Sequence, residues 1–117
     1  MTHPSYHEKS PEGIDIIRWP HPNRLLPETE VIVFFTSRNI EPTRWTNAPN
    51  TVHAAHTHDD TKMLFCIAGG ITFSFPELLD REYTLFPGDR LILPPGLKHS
   101  VLVGSEGVTC IEGKGKE

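Results

Sequence analysis

Short apolar runs alternate with polar segments that contain glycine and proline along most of the chain. The runs are rich in valine, isoleucine, leucine and phenylalanine, a composition typical of β-strands. No segment shows the spacing of a convincing amphipathic helix. The pattern predicts strands over residues 14–17, 31–35, 51–58, 62–68, 71–75, 82–85, 90–93, 99–103 and 108–111.

Glycine and proline mark the turns between these strands. Gly-Gly at 69–70 predicts a hairpin turn, and Pro-Gly-Asp at 87–89 predicts a type II turn. Pro-Pro-Gly at 94–96 predicts a tight turn that leads into His99, and residues 104–107 predict a further turn. Many short strands joined in this way are typical of an all-β sandwich or barrel.

The chain of 117 residues fits one compact domain with a single core. We expect a loose, polar N-terminal arm over residues 1–13, a β-domain over 14–113 and a polar tail over 114–117. Within the domain, residues 42–50, which include Trp45, are predicted to form a loop.

Composition and charge exclude several classes of function. No apolar run approaches the roughly 20 residues that span a bilayer, and residues 1–13 have no apolar signal core, so we expect a cytoplasmic protein without a membrane partner. The formal net charge is −4, and the basic residues are scattered rather than clustered. Binding to nucleic acid is therefore not expected.

The interior is predicted from the apolar positions of the strands. Cys66 and Cys110 fall in apolar runs, where free, buried thiols are expected in a cytoplasmic protein, although the sequence leaves a disulfide between them open. Cys66 also shares the strand phase of Lys62, so it either lines the interior or is a small buried residue. The core or pocket wall is expected to include Leu64, Phe73, Phe75, Leu91, Leu93 and Val101.

Three histidines carry the candidate chemistry. His56 and His58 are two residues apart, a spacing that directs both side chains to one face of a strand. His99 follows the turn at 94–96 on a distant strand. Three imidazoles that converge inside a small barrel would form a site for a divalent transition metal. His53 is out of phase with His56, so it should face the other way; His3, His7 and His21 lie in polar or proline-rich segments and should be solvated.

The arrangement of these histidines resembles the two motifs of the cupin family. The first motif, G-x5-H-x-H-x3/4-E-x6-G, corresponds to Asn50-x5-His56-x-His58-x3-Lys62-x6-Gly69. The second, G-x5-P-x-G-x2-H-x3-N, corresponds to Gly88-x5-Pro94-x-Gly96-x2-His99-x3-Val103. The resemblance covers roughly residues 31–111 and implies a single double-stranded β-helix, the jelly-roll barrel of the cupins. It implies His56, His58 and His99 as metal ligands, with Fe(II), Ni, Mn or Zn as the ion, and a homodimer.

The most important departure from the family pattern is Lys62, which stands where the family has its glutamate ligand. Asn50 and Val103 are milder departures. Without the glutamate, three neutral imidazoles leave the charge of the ion uncompensated, and an inward lysine opposes the ion. Lys62 could be neutral beside the metal, pair with Asp59 or Asp60 at the barrel mouth, or hold an anionic ligand in a site without metal.

Two classes of function follow from these residues. The first is a metal-dependent enzyme, with dioxygenase chemistry on a small molecule as the leading subtype and an isomerase or epimerase as another. Here Lys62 is a candidate catalytic base, against the simpler interpretation of a lysine that extends its ammonium to solvent. The second is a non-catalytic module that binds a small ligand. The fold alone does not decide between them.

Overall fold

A computed structural model describes residues 7–115 of the chain. The described residues form eight β-strands, one α-helix and a short 3₁₀ turn at Pro76–Leu78. The elements are β1 (His7–Lys9), β2 (Asp15–Ile17), α1 (Glu28–Thr36), β3 (Thr43–Asn47), β4 (Val52–His56), β5 (Thr61–Phe75), β6 (Arg81–Leu85), β7 (Arg90–Leu93) and β8 (His99–Gly115).

The eight strands form one continuous hydrogen-bonded sheet, and the long strands β5 and β8 run through both of its halves, which we call the first and the second sheet. Leu64, in the first half of β5, lies between Leu91 of β7 and Glu112 near the end of β8. Phe73, in the second half, lies between β6 and Val101 near the start of β8. Strands β2 and β1 continue the first sheet beyond β7, and β3 continues it beyond β8, whereas β4 pairs with β8 in the second sheet. All these pairings are antiparallel, which confirms the all-β jelly roll.

The core lies between the two sheets. It joins Leu64, Leu91 and Leu93 from the first sheet to Phe73, Phe75 and Val101 from the second, and all six predicted interior residues are buried. Cys66 and Cys110 face each other across β5 and β8 as free, fully buried thiols. Their mutual contact and burial raise the pKa of the Cys110 thiol far above its usual range, so it stays protonated.

Helix α1 replaces the strand predicted over 31–35. Val31 and Phe35 are one helical turn apart and both are buried, whereas Val33 between them is exposed. The helix covers the outer face of the first sheet, where it packs on Met63 and Phe65 of β5. Acidic residues in its first turn complement the helix dipole. The β-branched composition favoured a strand, but this apolar outer face stabilises a helix more.

The hairpin turn predicted at 69–70 and the turn at 104–107 are also wrong. Both glycine pairs lie inside the long strands β5 and β8, at or beside irregularities of their register. Gly69 and Gly107 have positive φ angles of 75° and 79°, and the two backbones approach each other closely. The glycines therefore bend the strands from one sheet into the other rather than reverse the chain.

Strands occupy several segments that were predicted to be irregular. Residues 43–47 of the predicted loop form β3, which pairs with β8 and places Trp45 opposite Cys110. Strand β1 lies within the predicted arm and pairs with β2. Strand β8 extends into the predicted tail as far as Gly115. In each case the neighbouring strand supplies backbone partners that a local pattern cannot reveal.

Two predicted turns are confirmed. Asp89 N–H donates to the carbonyl of Phe86 at 2.9 Å, and Gly88 has φ +95°, as a type II turn requires. Gly96 has φ +80°, and its N–H donates to the carbonyl of His58 at 2.8 Å, so the turn before His99 is tied to the segment that carries His58. Among residues 7–115, no helix has the length and apolar character that a bilayer crossing requires.

Candidate metal centre

Three histidines from different parts of the chain meet at one end of the barrel. His56 ends β4 and pairs directly with His99, the first residue of β8. His58 was predicted to share a strand with His56, but β4 ends at His56, and His58 lies in the connection to β5. The ring centroids are 4.6–5.1 Å apart, and one ring nitrogen from each residue lies within 4.8 Å of the others. The predicted cluster is therefore formed, and it could hold a metal ion.

Backbone carbonyls fix the tautomers of two of these histidines. His56 Nδ1 lies 2.7 Å from the carbonyl of Ala54, and His99 Nδ1 lies 3.0 Å from the carbonyl of Leu97. Because a carbonyl only accepts, both Nδ1 atoms donate, which leaves the Nε2 lone pairs available. His58 Nε2 is buried and has no hydrogen-bond partner. A buried nitrogen without a partner costs free energy that a metal ion would recover.

The environment keeps two of the imidazoles neutral, as metal ligation requires. Burial lowers the pKa of His99 from 6.5 to about 4, and this side chain is only 2% exposed. Burial also lowers the pKa of His58, and the positive charge of Lys62 lowers it further. Neither histidine therefore needs to lose a proton before it binds an ion at neutral pH.

The depressed pKa of His99 predicts that metal-free protein loses stability in acid. Between pH 6.5 and about 4 the unfolded chain binds a proton at His99 that the folded chain does not, so stability falls as the pH falls through this window. At about 1.4 kcal/mol per pKa unit, this single group lowers the free energy of unfolding by about 3 kcal/mol. Urea unfolding of chelator-treated protein from pH 7 to pH 4 measures the loss.

The control compares the pH dependence of the free energy of unfolding between two variants that each remove one histidine. His99→Gln should show a pH dependence about 3 kcal/mol smaller than that of the wild type. His21→Gln, which changes an exposed histidine, should keep the wild-type dependence. Equal pH dependence in His99→Gln and the wild type would contradict the assignment.

An inner cavity of about 270 Å³ adjoins the histidines. His56 and His99 line one part of it, and Trp45 and apolar side chains of both sheets line another part. The apolar wall consists of Leu64, Ile71, Phe73 and Val101. The inner cavity therefore joins an apolar wall to two of the three histidines.

His53 lies on this cavity too, contrary to the prediction that it faces away from His56. The register of β4 against β8 shifts between His53 and His56, and such a bulge restores the two side chains to one face. His53 Nε2 lies 2.6 Å from Oδ1 of Asn47. It does not belong to the group of three histidines that could share an ion. His7 and His21 lie outside this site, and His3 falls outside the described residues.

Lys62 lines the inner cavity, and its partner is Glu112. Lys62 Nζ lies 3.3 Å from Glu112 Oε1, and both side chains are partly buried. The same carboxylate oxygen accepts a hydrogen bond of 2.8 Å from Trp45 Nε1. Pairing with Asp60 was one of the alternatives for Lys62, but Asp60 pairs with Lys114 at 3.6 Å.

A second, polar cavity of about 660 Å³ opens beside the first. His58, Asp59 and Asp60 line it on the side of the β4–β5 connection, and Lys114 lines it at the end of β8. The three histidines therefore stand between a polar outer cavity and an apolar inner cavity. A bound ion would be accessible from both.

The amino-acid sequence was compared with protein-family models and with curated proteins. No family model matches it, and the comparison with curated proteins found no match. The structure, in contrast, is similar to many solved structures.

Three of these similar structures indicate the fold. A cupin-2 domain protein from Shewanella frigidimarina has a TM-score of 0.55 at 17% identity and covers 66% of this chain and 71% of its own. A cupin superfamily protein from Desulfitobacterium hafniense has a TM-score of 0.56 at 12% identity, with 94% and 84% covered. The polyketide cyclase RemF from Streptomyces resistomycificus has a TM-score of 0.57 at 18% identity, with 64% and 54% covered. The protein therefore shares the double-stranded β-helix fold of these cupin proteins.

Proposed function

We propose that the protein binds one divalent transition-metal ion through His56, His58 and His99 and is a dioxygenase-type enzyme that acts on a small molecule. The observation that carries the metal site is the buried Nε2 of His58, which has no hydrogen-bond partner, in a group of three histidines that each offer a ring nitrogen within 4.8 Å of the others. Three protein ligands leave coordination positions open, as catalytic sites require. The homodimer and the small-molecule partner stay predictions.

The residues of the chain would divide the work of such an enzyme. The three imidazoles would hold the ion, and Fe(II) would supply redox chemistry with dioxygen. The apolar wall, with Phe73 and Trp45, would exclude water from the body of the substrate and orient it. Lys62, within the same cavity, would contact an anionic group of the substrate.

A non-catalytic binding module is the second candidate, and one observation favours it. An ammonium group stands beside the histidines where the family motif has a carboxylate ligand, and positive charge opposes the binding of a cation. In this case the inner cavity would hold a small anionic ligand through Lys62. An isomerase or epimerase, in which the ion acts as a Lewis acid, belongs to the first candidate because it uses the same metal site.

Metal titration of the chelator-treated protein tests the proposal. We expect one equivalent of Fe(II), Ni, Mn or Zn per chain, and dioxygen consumption by the Fe(II) form with a suitable substrate. Absence of binding by all four ions would contradict the metal site. Binding without dioxygen consumption would favour the isomerase or epimerase chemistry.

The variant Lys62→Glu separates the two candidates in the same titration. It removes a positive charge beside the site and adds a negative one, so metal affinity should rise by about tenfold or more. Unchanged or weaker affinity would mean that Lys62 does not act on the site. If the variant binds metal and the wild type does not, the natural protein is a binding module.

A further inference from the structure

Lys62 and Glu112 are the two residues that line both the inner and the outer cavity. The histidines divide differently: His58 lines the outer cavity, whereas His56 and His99 line the inner one. The Lys62–Glu112 ion pair therefore lies where the two cavities adjoin, and each cavity is also lined by at least one of the three histidines. Any charge on this pair acts on whatever the histidines hold.

The fold fixes Glu112 on two sides. Glu112 of β8 lies directly across from Leu64 of β5, so Lys62, two residues earlier on the same face, is its diagonal neighbour. Trp45 on the opposite side of β8 pairs with Cys110 and is the corresponding diagonal neighbour. Both neighbours contact the carboxylate, at 3.3 Å from Lys62 and 2.8 Å from Trp45. These two contacts hold the Glu112 carboxylate in a fixed position.

The charges at the site are incomplete without this carboxylate. Three neutral imidazoles bring no negative charge, and Lys62 brings a positive one, so an ion would meet net repulsion. In a partly buried site of low effective dielectric, that repulsion would be substantial. Glu112 cancels the charge of Lys62 and leaves the site electrically neutral for the ion.

We propose that Glu112 is a positioning residue of the metal site, which supplies from β8 the negative charge that the first motif lacks and sets metal affinity together with Lys62. This inference rests on the proposed metal function. Glu112 acts through charge and through its contact with Lys62. Trp45 keeps the carboxylate in place.

Opposite shifts in metal affinity are the result expected from this pair. Glu112→Gln should weaken Zn²⁺ binding by about tenfold, because it leaves Lys62 uncompensated. Lys62→Met should strengthen it by a similar factor, because it leaves the carboxylate uncompensated. The double variant should bind Zn²⁺ within about threefold of the wild type. Competition with a chromophoric chelator measures all four dissociation constants.

Lys114→Met is the matched control, since it also removes a lysine that lines the outer cavity. Lys114 is 83% exposed and pairs with Asp60, so solvent screens its charge and Zn²⁺ affinity should not change. If the ion pair had only a structural role, both single variants would change Zn²⁺ affinity in the same direction. Alternatively, they would lower only the stability measured by urea unfolding. If Glu112→Gln does not fold, the Zn²⁺ affinity of Lys62→Met by itself tests the proposal.

The outcomes separate this inference from the proposed function. Unchanged Zn²⁺ affinity in Glu112→Gln, or weaker affinity in both single variants, would overturn the role of Glu112 and leave the metal site intact. Absence of Zn²⁺ binding by the wild type and every variant would overturn both.

Discussion

Alanine at His56, His58 or His99 is expected to abolish stoichiometric metal uptake. Each residue offers one ring nitrogen to the group within 4.8 Å, and a site reduced to two imidazoles loses a third of its protein ligands. We expect affinity to fall by at least about 100-fold, beyond the range in which residues that only orient ligands act. Metal analysis of protein dialysed against a weak chelator measures the loss.

His53→Ala is the control for these variants. His53 lines the same inner cavity as His56 but contacts Asn47 and does not belong to the group of three. Metal uptake by His53→Ala should equal that of the wild type. If His53→Ala also lost the metal, the ligand set would include a fourth histidine, and the proposed site would need correction.

Gly69→Ala should destabilise the fold strongly, because two backbones meet at this glycine. An added Cβ would overlap the carbonyl oxygen of Gly107 and would lie 2.8 Å from its carbonyl carbon. Both atoms are backbone of β8, so no side-chain rotation relieves the overlap. The positive φ of Gly69 adds strain for any L-residue. We expect a loss of at least about 3 kcal/mol, a large part of the stability of a domain of this size.

Gly96→Ala isolates the contribution of φ alone. Gly96 has a similar φ of +80°, but no atom lies within 4 Å of the position that its Cβ would take. This variant should lose only about 1 kcal/mol. Guanidinium unfolding measures the free energy of unfolding of both variants. Equal losses of stability would mean that the close approach of β5 and β8 at Gly69 does not add to the cost of the substitution.

The candidate metal centre could be predicted because its signal is local. His56 and His58 stand two residues apart, and a proline–glycine turn precedes His99. Both short spacings point to the cluster, although β4 ends at His56 and the predicted strand through His58 does not form. The turn at Gly88 could be predicted for the same reason, since only glycine readily adopts its φ. These features depend on a few neighbouring residues and not on the rest of the fold.

The position of α1 could not be predicted because it depends on a surface made by other strands. Residues 31–35 are β-branched and aromatic, which locally favours a strand. Met63 and Phe65 present an apolar outer face that a helix covers, and this tertiary contact decides the conformation. The continuous apolar run in β5 was a signal that both faces of that strand are buried.

Glu112 and the orientation of His53 were missed for two further physical reasons. Glu112 is one residue beyond the predicted end of the last strand, and only the pairing of β8 with β3 and β5 brings it between Trp45 and Lys62. His53 shares a face with His56 because of a bulge, which inserts a residue and reverses the strand phase. Neither pairing register nor a bulge is visible in the local pattern.

The sharing of β5 and β8 between two sheets has a consequence for how the protein folds. Thr61 pairs with Gly115 and Ser74 pairs with Ser100, so the central ladder joins segments far apart in the chain. Such non-local pairing makes folding slow in comparison with helical proteins of similar size. Because neither sheet is complete without both strands, the barrel should unfold as one cooperative unit rather than sheet by sheet. His56 meets His99 only when β4 has joined this ladder, so an ion that requires all the histidines would select the fully assembled chain and slow its unfolding.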